Sequence, residues 1–351
     1  MKAALIYPYT RYIRKAVSKI RKHAVQDQKN ILAGLIKRAQ NTKFGKDHDF
    51  VSIKTYQDFK KAVPLADYEV GRPYYDLIRE GHPNITWPDR PTYFAKTSGT
   101  TSGIKYIPIT NESMPNHIGS ARLALLNYAS YKDHSKLFNG KVMFLSGSPI
   151  LNMTNGIKTG RLSGIVNHEI PSWIKGNQLP TFETNCIEEW EDKVDRVIEE
   201  THNKDLRLIS GIPPWVQMYF ERLLDYTDLE NIKQVFPNLQ LFIYGGVNYE
   251  PYRASIESLI GSRIDSLETY PASEGFIAFQ DTLDHAGLLL NTNSGIFYEF
   301  VKLQDIHSDN PPRVSLTEVD LNQDYVIIIN SNAGLWGYNI CLLYTSPSPR
   351  D

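Results

Sequence analysis

The chain has 351 residues, 41% of them hydrophobic, which is enough to bury a large core and argues against a disordered protein. Its 38 lysines and arginines nearly balance 39 aspartates and glutamates, so the overall charge gives no reason to expect a nucleic-acid or membrane partner and favours a small substrate. Two cysteines, Cys186 and Cys341, without Cys-x-x-Cys or Cys/His spacing, argue against a disulfide scaffold or structural zinc site and fit a reducing cytoplasm.

The apolar start, Met1 to Pro8, is too short for a signal sequence, and no run approaches the ~20 apolar residues of a membrane span. A soluble protein is expected. Over residues 10–40 the positions Ile13, Val17, Ile20, Ala24, Ile31, Leu32, Leu35, Ile36 and Ala39 recur at helical spacing, predicting two helices or one bent helix. Its lysines and arginines could meet a membrane or an acidic partner, but plain solvation is the commoner use of such a face. The stretch 44–50 reads as a turn, and short helices are expected over 55–62 and 73–80, with Asp67 and Gly81 as punctuation.

A polar run follows: Lys96-Thr97-Ser98-Gly99-Thr100-Thr101-Ser102-Gly103-Ile104-Lys105. Strand-like residues 91–95 precede it, and Tyr106-Ile107-Pro108-Ile109, kept out of a helix by Pro108, follows it. Gly99 and Gly103 let successive N–H groups converge, while Ser98, Thr100, Thr101 and Ser102 add hydroxyl donors. Lys105 or Lys96 can neutralise charge, so the loop suits a polyphosphate. Composition alone fits a polar hairpin tip equally well. A Walker loop does not fit, because Lys105 stands two residues after Gly103 rather than directly after it.

Beyond the loop, Met114, Ile118, Ala121, Leu123, Leu125 and Leu126 predict a helix to about residue 131, packed under the loop. A buried-type strand over 142–145 empties into a Gly/Ser/Asn segment, 146–164, which can line a substrate site. Ile187, Trp190, Val194, Val197 and Ile198 predict a helix over 183–200. Strands over 206–210 and 239–244 each lead through a glycine turn into a helix, the pattern of a parallel α/β sheet whose ligands gather at the strands' carboxyl ends. The turn Gly245-Gly246-Val247-Asn248 lies at such an end. A strand over 264–269 leads into Tyr270-Pro271-Ala272-Ser273-Glu274, where Tyr270 can face a purine, Ser273 can bond a phosphate, and Glu274 is a hard oxygen ligand for Mg²⁺. Taken singly, Glu274 reads as an exposed carboxylate at a strand end. Strands over 288–291, 296–301, 314–319 and 325–329 form a β-rich, antiparallel section.

Three motifs, the 97–105 loop, Tyr244-Gly245-Gly246-Val247-Asn248, and Tyr270-Pro271-Ala272-Ser273-Glu274, resemble those of the Gretchen Hagen auxin-responsive family of acyl-acid amido synthetases, most closely its bacterial members, within the adenylate-forming superfamily. The likeness runs from about residue 44 to 340. It implies an α/β fold, the N-terminal domain of an adenylate-forming enzyme, with mixed and parallel sheets flanked by helices and a barrel-like β-rich section. It further implies that Ser98, Gly99, Thr100, Thr101, Ser102 and Ser273 serve the phosphates of ATP, and that Gly245, Gly246, Val247 and Tyr270 frame the adenine. Lys105 and Glu274 are the implied catalytic residues, with Glu274 also meeting Mg²⁺. The implied reaction activates a carboxylic acid as an acyl-adenylate and passes it to an amino acid, in a cytoplasmic protein for which a monomer is favoured. By position, the acid is expected near 146–164 and 211–215. Transfer to coenzyme A, or a non-catalytic nucleotide-binding module, are the rival readings.

The family continues through a Tyr-x-x-Gly-Asp motif into a mobile lid. Here Tyr338-Asn339-Ile340 follows that pattern, but Cys341 and Leu342 stand where glycine and aspartate are expected. Residues 1–340 are therefore expected to be one large adenylation domain lacking its lid and inactive alone, and residues 341–351 a tail foreign to the fold.

Overall fold

The computed structural model describes residues 2–98, 103–131, 134–170, 175–284 and 287–340. Within them, β1 (Tyr93–Ser98) and β2 (Ile104–Ile109) form an antiparallel hairpin, and β1 also runs parallel to a later strand, β5. The central sheet has seven strands. It is built from β3 (Lys141–Phe144), β6 (Gln178–Leu179), β7 (Leu206–Ser210), β8 (Leu241–Gly245) and β9 (Asp265–Ala272), all parallel, with β10 (Gly275–Phe279) and β11 (Leu289–Leu290) antiparallel at one edge. Its two faces separate by the period-two rule: Leu208, Leu241 and Leu267 point into one core, while Ile209 and Phe242 point into another. Helices Trp190–Thr201, Pro213–Thr227 and Glu250–Ile260 cover the second face, and Met114–Ala129 with the N-terminal helix covers the first. Two-sided cover explains why the parallel strands read as near-continuous apolar runs.

The segment 146–164 is more than a loop. It contains the hairpin β4 (Asn152–Thr154) and β5 (Ile157–Gly160), turned by Asn155 and Gly156 at positive φ and joined to β1, and it ends in the helix Leu162–Glu169. The β-rich section toward the end of the described chain is an antiparallel sheet in the order β13 (Val314–Ser315), β12 (Ile296–Lys302), β14 (Tyr325–Ser331), β15 (Tyr338–Asn339). The strand expected over 288–291 instead pairs with β10.

Several helix boundaries differ from the sequence expectation. Residues 10–39 belong to one uninterrupted helix, Lys2–Ala39. The helix expected from Pro73 begins at Tyr68, because the Asp67 side chain accepts from the Val70 N–H and caps it; Pro73 sits exposed within, where water can meet the carbonyl it leaves unpaired. The 44–50 turn includes a short helix, Lys43–Asp47, capped by Thr42. The helix expected over 183–200 is two pieces, Phe182–Asn185 and Trp190–Thr201, and the buried Lys193 ammonium satisfies the Asn185 carbonyl freed at the break at 2.8 Å. None of the described helices is long and apolar enough to cross a membrane.

Two devices hold the C-terminal strands to the N-terminal part. Trp336 stacks on Phe44 with ring centroids 5.8 Å apart, meets Phe50 edge-on at 4.9 Å, and donates its indole N–H to the Thr86 carbonyl at 3.0 Å. Beside it, the fully buried Glu299 accepts from Asn330 at 2.9 Å, Tyr56 at 3.1 Å and Arg313 at 3.3 Å, while Arg313 also donates to the Lys60 and Val63 carbonyls.

Removing one partner of a buried ion pair leaves the other charge uncompensated, so Glu299→Ala is expected to lower unfolding stability by about 3–5 kcal/mol in urea titrations. A second expectation concerns His117, buried on the helix Met114–Ala129, whose pKa burial lowers from 6.5 to about 4. The unfolded chain takes up a proton that the folded chain refuses, so stability is lost as pH falls from about 6.5 toward about 4. At pH 5, urea unfolding of the wild-type protein should show about 2 kcal/mol more loss from its pH 7 value than that of His117→Leu. Parallel pH dependence in the two proteins would remove His117 as the responsible group.

Candidate active site

The expected loop is the turn of the β1–β2 hairpin, with Thr97 opposite Lys105 and Ser98 opposite Ile104. Gly99, Thr100, Thr101 and Ser102, together with the Ser98 side chain, lie outside the described residues. Gly103 has φ +85° and open space around its Cα, so glycine is needed there for conformation rather than for room. β2 is an edge strand, and its Tyr106 N–H, which would otherwise lack a ladder partner, donates to the Tyr68 hydroxyl at 3.0 Å. Lys105, on the same strand, holds its ammonium 5.9 Å from the centre of the Tyr68 ring.

The second motif lies at the carboxyl end of β8. A Cβ on Gly245 would come within 2.4 Å of the Thr269 carbonyl oxygen, so glycine is what lets β9 lie close alongside. Thr269 returns a hydroxyl bond to the Tyr244 carbonyl at 2.9 Å. Gly246 has φ +77° and, with Val247 and Asn248, is exposed; the Asn248 side chain accepts from the Glu250 N–H and starts the next helix.

The third motif spans a strand and a tight turn. β9 continues through Tyr270-Pro271-Ala272, and Ser273-Glu274 forms the two-residue turn into β10, with Ala272 opposite Gly275. Tyr270 is only 5% exposed and packs with Ile277, Ile296 and Tyr298, so the open ring face expected for a purine is mostly covered. Ser273 and Glu274 are half-buried. The turn is clamped from the helix Met114–Ala129 by Asn116, a buried residue that sequence reading passed over: its carboxamide accepts from the Phe276 N–H at 2.7 Å and donates to the Phe276 carbonyl at 3.2 Å. The available signal was a polar residue within an apolar helix. That helix rests on the central sheet and holds the Glu274 turn, while the loop it was expected to underlie falls outside the described residues.

Two remote segments act on Glu274. Burial pushes its pKa up, while a hydrogen bond from its own backbone, the Lys105 ammonium and a hydrogen bond from Tyr338 pull it back down. Tyr338, on β15, is the first residue of the Tyr-x-x segment, and sequence reading gave it no role in the site. The second carboxylate of the strand, Glu268, is also raised by burial and by Glu250, with Arg253 and Tyr244 opposing.

The region expected to hold an acid is partly closed. Trp215 packs against Trp190 with ring centroids 4.3 Å apart, and Lys193 donates to the Ser146 carbonyl at 2.8 Å. A groove of about 650 Å³ near the end of the N-terminal helix, lined by Arg38, Lys43 and Lys46 among others, shares no residue with these motifs.

A model of the GH3 family N-terminal domain matches residues 13–181, and one of the GH3 family central domain matches residues 289–341. The chain belongs to the GH3 family. Jasmonoyl--L-amino acid synthetase JAR4 of Nicotiana attenuata is 22% identical over 350 residues, covering 80% of this chain and 59% of that protein. Indole-3-acetic acid-amido synthetase GH3.15 of Arabidopsis thaliana is 39% identical over 89 residues, 24% of this chain and 14% of its own length. Among solved structures, AtGH3.15 acyl acid amido synthetase in complex with 2,4-DB superposes with a TM-score of 0.74 at 16% identity, over 97% of this chain and 69% of that one. 2-Hydroxyisobutyryl-CoA ligase in complex with 2-HIB-AMP and CoA gives 0.58 at 13% identity, over 91% and 62%. The fold is that of the adenylate-forming enzymes. This GH3 chain spans 59% of the length of the JAR4 relative.

The two glycines of the GH3 turn differ in kind. Gly245→Ala forces β8 and β9 apart and is expected to cost about 1–3 kcal/mol, whereas Gly246→Ala, with room but positive φ, should cost about 1 kcal/mol. Thermal or urea unfolding of the two variants compares them; an equal or reversed order would contradict the close-approach argument.

Proposed function

We propose that this chain forms the adenylating part of an acyl-acid amido synthetase. The observation that carries this reading is the meeting of Lys105, Glu274 and Tyr338, from three separate sheets, around one half-buried carboxylate. In the first step a carboxylate oxygen of the acid bonds to the α-phosphorus of ATP, the bond from that phosphorus to the β-phosphate bridge breaks, and pyrophosphate leaves with the electron pair. In the second step an amino acid nitrogen bonds to the activated carbonyl carbon, AMP leaves, and the nitrogen loses a proton.

The protein's part is electrostatic. Lys105 offsets charge moving onto the departing pyrophosphate, assisted by donors of the Ser98–Ser102 run, and such a preorganised donor is worth roughly 10²–10³ in rate. Ser273, in the same turn as Glu274, would meet a phosphate, and the exposed Gly246-Val247 stretch would offer an edge for adenine. Magnesium suits this donor set. Among the described residues no group of three or more His, Cys, Asp or Glu could hold a metal ion alone. Glu274 therefore would share the ion with phosphate oxygens and water, the usual manner of Mg²⁺ beside nucleotides. Bound there, the ion would neutralise phosphate charge, while Tyr338 and Lys105 oppose the rise that burial imposes on the carboxyl pKa.

Family membership, more than any side chain in the site, favours an amine over coenzyme A as acceptor. Small acid and amino acid substrates follow from the same reading, and a cytoplasmic setting suits a chain whose Cys186 is a free thiol.

The test is acid-dependent exchange of labelled pyrophosphate into ATP, with a panel of carboxylic acids. Glu274→Gln keeps the shape and removes the charge, so exchange should fall by about 10²-fold or more and require more Mg²⁺. Unchanged exchange and magnesium dependence would leave Glu274 a structural carboxylate.

A further inference from the structure

The near-zero net charge of the whole chain conceals a strong separation. The helix Lys2–Ala39 carries ten lysines and arginines against a single acid, Asp27, whereas the rest of the chain has 28 cations and 38 acids. Its buried side is apolar, with Ile13, Val17, Ile20, Leu32 and Leu35 in the core. On the opposite side Lys15, Lys19, Lys22, Lys29 and Lys37 are all exposed. Their spacing by three, four, seven and eight residues puts them on one stripe, about 33 Å long at 1.5 Å per residue.

The helix treats its two kinds of cation differently. Arg14 is bound to Ser130 and lies over Tyr131, Arg21 pairs with the buried Asp281, and Arg38 pairs with Glu112. The five lysines of the stripe make no ion pair or hydrogen bond among the described residues. Tyr12, 64% exposed, continues the stripe, and Tyr9, 45% exposed, stacks on it at 5.7 Å.

We infer that this outer face is a docking surface for an anionic lipid bilayer, on which the helix lies flat without inserting. Three features select a lipid surface over other anions. A straight row of exposed ammonium groups matches a plane of like headgroups, and among the described side chains of the helix every guanidinium fork, the kind that reads phosphates and bases bidentately, is already partnered. An exposed tyrosine pair at one end supplies side chains suited to the polar–apolar boundary of a bilayer. The stripe itself carries no apolar band, which limits the contact to adsorption at headgroup depth.

The test is co-sedimentation of the purified protein with vesicles of phosphatidylcholine alone or with about 30 mol% phosphatidylserine. Binding is expected only with phosphatidylserine, lost between about 50 mM and about 500 mM salt. The triple variant Lys15→Gln, Lys19→Gln, Lys22→Gln should partition about 100-fold more weakly, and the corresponding glutamate variant more weakly still. Circular dichroism should be unchanged, because these side chains are exposed. No enrichment on phosphatidylserine vesicles, or equal binding by the triple variant, would overturn the inference. So would duplex DNA displacing the protein from vesicles at matched phosphate concentration. A salt-sensitive dimer in sedimentation velocity that the triple variant abolishes would assign the face to a second copy instead.

Discussion

A carboxylate drawn half out of water is costly unless a cation and a hydrogen-bond donor close around it. Glu274 is in that position, at the tip of a two-residue turn whose neighbour Gly275 lies close against the Ile296 side chain. Its own backbone N–H opposes that cost first, and the rest of the compensation comes from far away in sequence: the ammonium of Lys105 from the hairpin sheet and the hydroxyl of Tyr338 from the C-terminal sheet. Neither can reach Glu274 unless all three sheets are docked. The local chemistry of this carboxylate and the global packing of the domain are one constraint.

That docking rests on the interior. The Trp336 aromatic cluster and the Glu299–Arg313 pair fasten β12, β14 and the approach to β15 onto the segment 44–63, so Tyr338 arrives at a determined place. Backbone bonds complete the positioning: Ala66 N–H donates to the Gly337 carbonyl at 2.8 Å, and Asn339 N–H to the Ala66 carbonyl at 2.7 Å. Gln28 of the N-terminal helix plays a similar part, donating to the Thr292 and Ile296 carbonyls and accepting from the Tyr298 N–H. Polar groups buried here act as registers, because each leaves an unsatisfied partner if the elements slide.

The N-terminal helix illustrates how one element can face two environments. Its inner side is apolar apart from Gln28, and at its flanks it reaches polar partners through arginines, whose forked geometry holds a fixed acceptor well. Its outer side keeps lysines, whose flexible, strongly hydrated ammonium groups cost little to leave in water. Whole-chain composition averaged this helix with an acidic remainder, which is why the charge balance alone pointed away from any anionic surface.

Much of this protein was legible in its sequence, because the relevant information is local. The strand read over 206–210 is β7 at its observed bounds, and the glycine turns after β7 and β8 marked the carboxyl ends of a parallel sheet. The motif residues Lys105 and Glu274 were identifiable because their neighbours form unusual local patterns. Misread boundaries arose where a cap outweighed a breaker, as at Asp67 before Pro73, or where a distant group stabilised a break, as Lys193 does after Asn185. The roles of Asn116 and Tyr338 and the covered ring of Tyr270 were decided only by tertiary structure. Each depends on a partner more than 20 residues away or on neighbouring strands that bury it, and no local spacing encodes such a distance.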